Sequence, residues 1–316
     1  MGDVTQRDGA GRGAVVIGGG IIGLTTAVTL AERGMYVRLW DPQGPDETTS
    51  AVAGGLCWPY RIEPEARALE WAVRSFRHFS WLAEQPPLTG VRLVRGRTRD
   101  SVPPPEWRAL TGSPPRAPVV DMKSYLRYLT GRFEAAGGRH ERRVARSLAE
   151  AAAEAPVVVN CTGLGARELV PDPAVRAVRG QILVVENPGI EEWYVAASSD
   201  ASETTYLVPQ PYGLVLGGTA HDGAEDRTPD PATAEAIVRR CARIHPALTE
   251  AKVLEHRVGL RPFRPSVRLE AEHVPDGRGG ESLCVHNYGH GGAGVTVSWG
   301  CAVDAARLVG PPGRAR

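Results

Sequence analysis

Six consecutive residues near the N-terminus, Gly18-Gly19-Gly20-Ile21-Ile22-Gly23, constrain the fold of this chain more than any other stretch. They follow AVVIG (14–18), a continuous apolar run of the kind that forms a strand covered on both faces. They open IIGLTTAVTLAER (21–33), whose apolar residues recur at helical spacing until Gly34 stops the pattern. A second apolar run, YVRLW (36–40), then ends on Asp41. Strand, glycine turn, helix, strand and acid in this order describe a dinucleotide-binding βαβ unit. Gly18 permits the tight turn, Gly20 lets backbone approach a pyrophosphate, and Gly23 allows helix and strand to pack closely. The helix start at Ile21 and Ile22 offers N–H groups and a partial positive charge to phosphate. Asp41 is placed to accept hydrogen bonds from ribose hydroxyls, which favours FAD or NAD over a 2′-phosphorylated cofactor. The fingerprint alone does not choose between those two.

The rest of the chain reads as two textures. Residues 64–83 are predicted helical, with Trp71, Phe76, Phe79 and Leu82 on the apolar face. The Pro-rich stretch from Val102 to Pro118 reads as a surface connection without regular helix. A helix over 121–136 is capped by Asp121, and VVVN (157–160) resumes the buried-strand pattern. Short strand-like runs, QILVVE, TTYLVP and GLVLGG, follow Gly180, then a helix over 231–243, a strand SLCVHN (282–287) and a closing helix over 292–309. The predicted fold class is α/β. A Rossmann-type FAD-binding domain is expected from the discontinuous segments 1–60, 137–179 and 256–316. An antiparallel-rich α+β substrate-binding domain is expected from 61–136 and 180–255.

The formal charge of +1 makes no electrostatic case for nucleic acid or an anionic membrane. Only two of the 37 basic residues are lysines, Lys123 and Lys252, so each arginine has to be argued from its own surroundings. The five cysteines are scattered, odd in number and without a CxxC pair, the pattern of buried thiols in a reducing compartment. His286 and His290 stand four apart, but a glycine lies between them and no third ligand is near, so no metal is expected. The polar N-terminal stretch lacks a signal-peptide apolar region, and no run approaches the roughly 18 apolar residues of a membrane span. A cytoplasmic location is therefore expected; nothing in the sequence specifies or excludes a homodimer.

Four segments add chemistry to the fingerprint: TTSAVAGGLCWPY (48–60), VNCTGLGA (159–166), VGLRPFRPSVRLE (258–270) and VHNYGHGGAGVTVSWG (285–300). Together, in this order, they resemble the D-amino-acid oxidase family of flavoproteins, over nearly the whole chain except the less informative stretch 61–155. The resemblance implies non-covalent FAD. It implies that Thr48, Thr49, Ser50, Gly55 and Leu56 lie along the flavin and its phosphates, and that Thr162 touches the adenine side. Four glycines between Tyr288 and Thr296 expose backbone N–H groups ahead of a helix. By the same resemblance Gly291, Gly292, Ala293, Gly294, Val295 and Thr296 surround the pyrimidine edge of the ring.

For the substrate, the resemblance implies a carboxylate clamp at Arg268, a second contact from the Tyr206 hydroxyl, and an amine acceptor in the Gly292 carbonyl. Arg261 and Arg264 read as structural. Ser202 stands where relatives carry a second active-site tyrosine, the lid segment around it is short, and Trp58 replaces a polar residue at a pocket-facing position. The implied reaction is oxidation of a D-amino acid to an imino acid, with oxygen as final acceptor, yielding hydrogen peroxide, a 2-oxo acid and ammonia. The absence of a basic residue from 196–205 favours neutral D-amino acids. A glycine/sarcosine-type or D-aspartate oxidase of the same fold stays open, as does a non-catalytic flavin-binding regulator.

Overall fold

The computed structural model describes residues 13–59, 62–99, 103–196 and 203–311. It opens with β1 (Gly13–Ile17), α1 (Ile21–Ala31) and β2 (Tyr36–Trp40), the βαβ unit expected from the glycine fingerprint. Next come α2 (Glu65–Leu82), the single-turn α3 (Pro86–Thr89), β3 (Val91–Arg99), α4 (Pro105–Thr111), β4 (Arg116–Val120) and α5 (Met122–Ala135). Asp121 caps α5 by accepting from the Ser124 backbone N–H, a cap worth about 1 kcal/mol, and its Oδ2 also accepts from the Ser124 hydroxyl at 2.6 Å. β5 (Arg139–Glu141), α6 (Leu148–Ala152), β6 (Val157–Asn160) and α7 (Ala166–Leu169) follow. The second half is mainly strand: β7 (Arg176–Val185), β8 (Trp193–Ala196), β9 (Glu203–Gln210), β10 (Gly213–Thr219) and β11 (His221–Asp222). α8 (Pro231–Ala242), β12 (Val253–Pro275), β13 (Glu281–His290) and α9 (Gly294–Val309) complete the described chain.

The described strands form one sheet in the order β4-β3-β8-β9-β10-β7-β12-β13-β6-β1-β2-β5, with β11 added to β7. From β13 through β6, β1 and β2 to β5 every pairing is parallel. From β8 through β9, β10, β7 and β12 to β13 every pairing is antiparallel. The parallel part is wrapped by helices: α1 packs on α9 and α5, and α9 on α2. Residues of α2 and α5 therefore share the main apolar core with α1 and α9, although their sequence lies in the stretch 61–136.

Two elements depart from the sequence expectation. The Pro-rich stretch contains a helix, α4, because Pro105 occupies its first turn, where a missing N–H costs nothing. The longest strand, β12, for which the sequence pattern gives no strand, spans 23 residues across Pro262 and Pro265. It passes them by changing partner. Val253–Phe263 pairs with β7, whereas Arg268–Pro275 pairs with β13, and the β13 ladder is interrupted between Phe263 and Arg268. Among the described residues no helix is long and apolar enough to cross a membrane.

Candidate active site

A cavity of about 1270 Å³ opens where the two parts of the sheet meet. One region of its wall is made by Gly18, Gly20, Ile21, Ile22, Asp41, Thr48, Thr49, Ser50 and Thr162. Another is made by Gly55, Leu56, Tyr206, Arg261, Gly291, Gly292, Gly294 and Val295. The sequence-predicted residues thus converge, with four exceptions: Gly23, Arg268, Ala293 and Thr296 do not line it.

The glycine turn is built by close contact. Gly18 has φ +107°, and a Cβ there would stand 2.5 Å from the Cys161 carbonyl oxygen. A Cβ on Gly23 would collide with the Gly18 carbonyl oxygen, so Gly23 serves packing between α1 and β1 rather than the cavity wall. The Ile21 N–H, expected to be open to phosphate, donates to Ser50 Oγ at 3.0 Å. Ser50 therefore ties the 48–55 segment to the helix start. Thr48 and Thr49 hydroxyls are spent on the carbonyls of Pro45 (2.8 Å) and Leu260 (3.2 Å). Asp41 is buried, with Oδ2 unpartnered in the structure. Burial pushes its carboxyl above the usual range, against the opposing pull of the Gln43 and Gly19 N–H groups.

Three backbone approaches shape the other region. A side chain on Gly55 (φ +80°) would strike the Val120 carbonyl, so this glycine admits β4 against the cavity wall. Gly217 leaves room for the Tyr206 ring, which an added Cβ would overlap. Gly180 leaves room for the Arg261 guanidinium, which an added Cβ would overlap. The Arg261 Nη1 donates to the Thr219 carbonyl at 2.8 Å, and no carboxylate among the described residues pairs with it. The Tyr206 hydroxyl lies 3.1 Å from a Cβ built on Gly218, the neighbour of Thr219, and the Arg261 Cδ lies 3.3 Å from one built on Gly292. Arg261, Tyr206 and Gly292 are therefore gathered on one stretch of wall.

Arg268 is elsewhere. Its Nε donates to Glu270 at 2.7 Å, its Nη1 to the Tyr288 hydroxyl at 3.0 Å, and its Nη2 is 3.6 Å from Glu272. Partial burial works against its charge, but Tyr288 and Glu270 outweigh that and hold the guanidinium above its usual range. A guanidinium so committed has no fork left for a substrate carboxylate. Behind it Tyr288 donates to Asp172 Oδ2 at 2.8 Å, which also accepts from Arg264 Nε at 3.0 Å. Burial and the Asp172 bond push the Tyr288 phenol up to about 12, against the pull of Arg268. Arg264 lines the cavity but is paired with Asp172; Arg261, expected to be structural, lines it with no ion pair among the described residues. Its signal in the sequence is Gly180, a glycine in the interior of the buried strand β7.

Thr296 and Ala293 depart for simpler reasons. The Thr296 hydroxyl is closed onto the Trp58 backbone, accepting from its N–H at 3.2 Å and donating to its carbonyl at 3.0 Å. Ala293 is buried under the turn before α9. Trp58 does face the cavity, and its ring is held against Trp193 and Trp107 at centroid separations of 4.8 and 5.7 Å. Ser202 and most of the lid segment lie outside the described residues. No group of three His, Cys, Asp or Glu able to hold a metal occurs among the described residues. Burial drives His290 down to about 3, so that histidine is neutral.

A family model described as FAD dependent oxidoreductase matches residues 14–99 and 89–308. The chain belongs to this family. Among FAD-dependent oxidoreductases of known activity it is similar to the D-amino-acid oxidase of Streptomyces coelicolor, with 56% identity covering 96% of this chain and 97% of the relative. It is also similar to the D-amino-acid oxidase of Rubrobacter xylanophilus, with 50% identity covering 94% of this chain and 95% of the relative. In fold it matches a glycine oxidase from Bacillus cereus with a TM-score of 0.74 at 18% identity, over 96% of this chain and 98% of that one. The residues present fit the family's FAD. Side chains are excluded from the Gly18 turn, an unpartnered carboxylate oxygen of Asp41 is available for ribose, and the cavity runs unbroken to Gly292 and the start of α9.

Proposed function

We propose that this FAD-dependent oxidoreductase oxidises neutral D-amino acids. The observation that carries the reading is the convergence of Arg261, Tyr206 and Gly292 on one stretch of the cavity wall. Arg261 binds the substrate carboxylate through its planar fork, a charge-assisted pair stronger than a neutral hydrogen bond. Tyr206 donates its hydroxyl to the same carboxylate. The Gly292 carbonyl accepts from the neutral amine, which fixes the Cα–H direction. Gly18–Ile22, Asp41, Thr48–Ser50, Gly55, Leu56, Thr162, Gly291, Gly292, Gly294 and Val295 would hold FAD, which would supply a two-electron acceptor with oxygen as final oxidant, reduced to hydrogen peroxide. The Cα hydrogen leaves with its electron pair and the nitrogen loses a proton. Water then hydrolyses the imino acid to a 2-oxo acid and ammonia.

A neutral side chain is supported by the neighbours of Tyr206. Val195 faces it across the ladder, Val208 is two residues along the same strand, and Trp58 and Ile62 complete that stretch of wall. Two of the cavity arginines nearby are already paired, Arg176 with Asp222 at 2.6 Å and Arg264 with Asp172 at 3.0 Å. We read residues 1–60, 137–179 and 256–316 as the cofactor-binding part and 61–136 and 180–255 as the substrate-binding part, so substrate sits where they meet. All five cysteines are buried and free of disulfides, which supports a cytoplasmic location. The test is the visible spectrum of the purified holoenzyme. Anaerobic D-alanine is expected to bleach the flavin bands, with peroxide released on readmitting air. Bleaching by glycine and sarcosine but not by D-alanine or D-proline would overturn the substrate assignment.

A further inference from the structure

A chain of hydrogen bonds leads from the surface to Thr162, and its polarity is fixed at one end. The Thr162 backbone N–H donates to Asn160 Oδ1 at 3.2 Å, and the Thr162 hydroxyl reaches the same oxygen at 2.7 Å. A peptide N–H can only donate, so the amide oxygen of Asn160 must face Thr162 and its NH₂ must face the other way. There it meets His286 Nδ1 at 3.2 Å. An amide NH₂ can only donate, so Nδ1 accepts and the ring proton resides on Nε2. Nε2 lies 2.7 Å from Glu272 Oε1, which accepts it. The other Glu272 oxygen is the one 3.6 Å from Arg268 Nη2. Burial favours the neutral ring of His286, in keeping with this single-proton arrangement. Asn160 and His286 are fully buried, while Glu272 is half-exposed.

The consequence falls on the cavity. Both donors of Thr162 are spent on Asn160, so its hydroxyl can act toward a ligand only as an acceptor. Thr162 lines the cavity on the turn that approaches Gly18, the region shared with Asp41. We propose that Glu272, His286 and Asn160 form a polarised relay that presents Thr162 Oγ1 as an acceptor to the adenosine end of FAD. Glu272, His286 and Asn160 are positioning residues; Thr162 makes the contact. The matching ligand chemistry is an N–H or O–H donor, either the exocyclic amine of adenine or a ribose hydroxyl. Arg268, absent from the cavity, acts here by holding the outer end of the relay.

The test is equilibrium exchange of FAD from the holoenzyme against two analogues, read by chromatography of the bound flavin. One carries hypoxanthine, which replaces the amine by a carbonyl oxygen; the other lacks the ribose 2′-hydroxyl. One neutral hydrogen bond of about 1 kcal/mol corresponds to a preference for FAD of roughly five- to tenfold over the analogue that lacks the donor. Loss against the hypoxanthine analogue identifies the amine, and a loss against the deoxy analogue that shrinks in Thr162→Val identifies the hydroxyl, since Asp41 also accepts from ribose. Thr162→Val is expected to abolish the preference over the hypoxanthine analogue or to cut the preference over the deoxy analogue to the part that Asp41 supplies. Glu272→Leu is expected to reduce it several-fold, and Glu272→Gln, which keeps an acceptor for His286, to restore it. Because Glu272 is half-exposed, these two variants carry the test even where a His286 variant fails to fold. Equal binding of FAD and both analogues by the unaltered protein would overturn the proposal. So would an undiminished preference in Thr162→Val or Glu272→Leu, which is what a purely structural relay predicts.

Discussion

Arg261 and Arg268 stand seven residues apart on the same strand, in one arginine- and proline-rich motif, yet they belong to different regions of the molecule. Arg261 lies where β12 pairs with β7, beside Gly180 and Thr219, with a carbonyl as its partner. Arg268 lies beyond the interruption, where β12 pairs only with β13, and is held by Glu270, Glu272 and Tyr288. One guanidinium faces a cavity with its fork available for a carboxylate; the other closes a charge network behind it. The difference teaches that, in a strand, residue type and motif do not decide which arginine binds a ligand. Register does, because alternation sends neighbours to opposite faces and a break in the ladder resets the count.

The sharpest way to break the comparison is to remove each guanidinium in turn. Arg261→Met is expected to lower kcat/KM for D-alanine by two to three orders of magnitude. That corresponds to the roughly 3–5 kcal/mol lost when one partner of a buried charge pair is deleted. FAD should stay bound, as the flavin absorbance of the purified variant will report. Tyr206→Phe removes one hydrogen bond to the same carboxylate, worth about 1.5–3 kcal/mol, so KM should rise by roughly ten- to a hundredfold. Hydride transfer measured at saturating D-alanine should change less than KM.

A smaller effect is expected at the nucleotide region. Asp41→Asn replaces a charge-assisted contact by a neutral one and should weaken FAD binding several-fold, a loss of about 1 kcal/mol. Because burial raises the Asp41 carboxyl above its ordinary range, protonation sets in earlier on acidification than at an exposed aspartate. FAD retention should therefore fall as pH drops through that range, and Asp41→Asn should flatten the dependence. The sign is opposite for apo-protein stability. A raised folded-state carboxyl pKa means the folded chain takes up the proton more readily, so this group's burden on folding lifts as pH falls. The smallest effect on catalysis belongs to Arg268→Met. KM for D-alanine should stay within about twofold of the unaltered enzyme, while loss of partly exposed ion pairs costs about 1 kcal/mol, a drop of roughly 2 °C in Tm.

Much of the cofactor region was legible because its signals are local. Gly18, Gly20, Gly23 and Asp41 fall within one βαβ unit, and the glycines around Gly292 stand directly before a helix. Each is demanded by a turn or a close approach that one short segment displays. Tyr206, expected at the site from the family resemblance, lines the cavity. The arginine was not legible, because its facing depends on how β12 slips against β7 and β13 over more than twenty residues, and Pro262 and Pro265 concealed that a strand was present at all. α4 was hidden in the same way, by a proline that starts a helix rather than breaking one. Thr296, expected beside the pyrimidine edge, lies off the cavity because its hydroxyl is closed onto the Trp58 backbone, a partner distant in sequence.

The most direct test of the two arginines is equilibrium binding of pyruvate, a 2-oxo acid that presents a carboxylate without an oxidisable amine. It is followed as a perturbation of the flavin spectrum in the Arg261→Met and Arg268→Met holoenzymes. With Arg261 as the carboxylate clamp, the first variant binds pyruvate about a hundredfold more weakly than the unaltered enzyme, and the second binds it unchanged. Unaltered affinity in Arg261→Met together with a large loss in Arg268→Met would contradict that assignment.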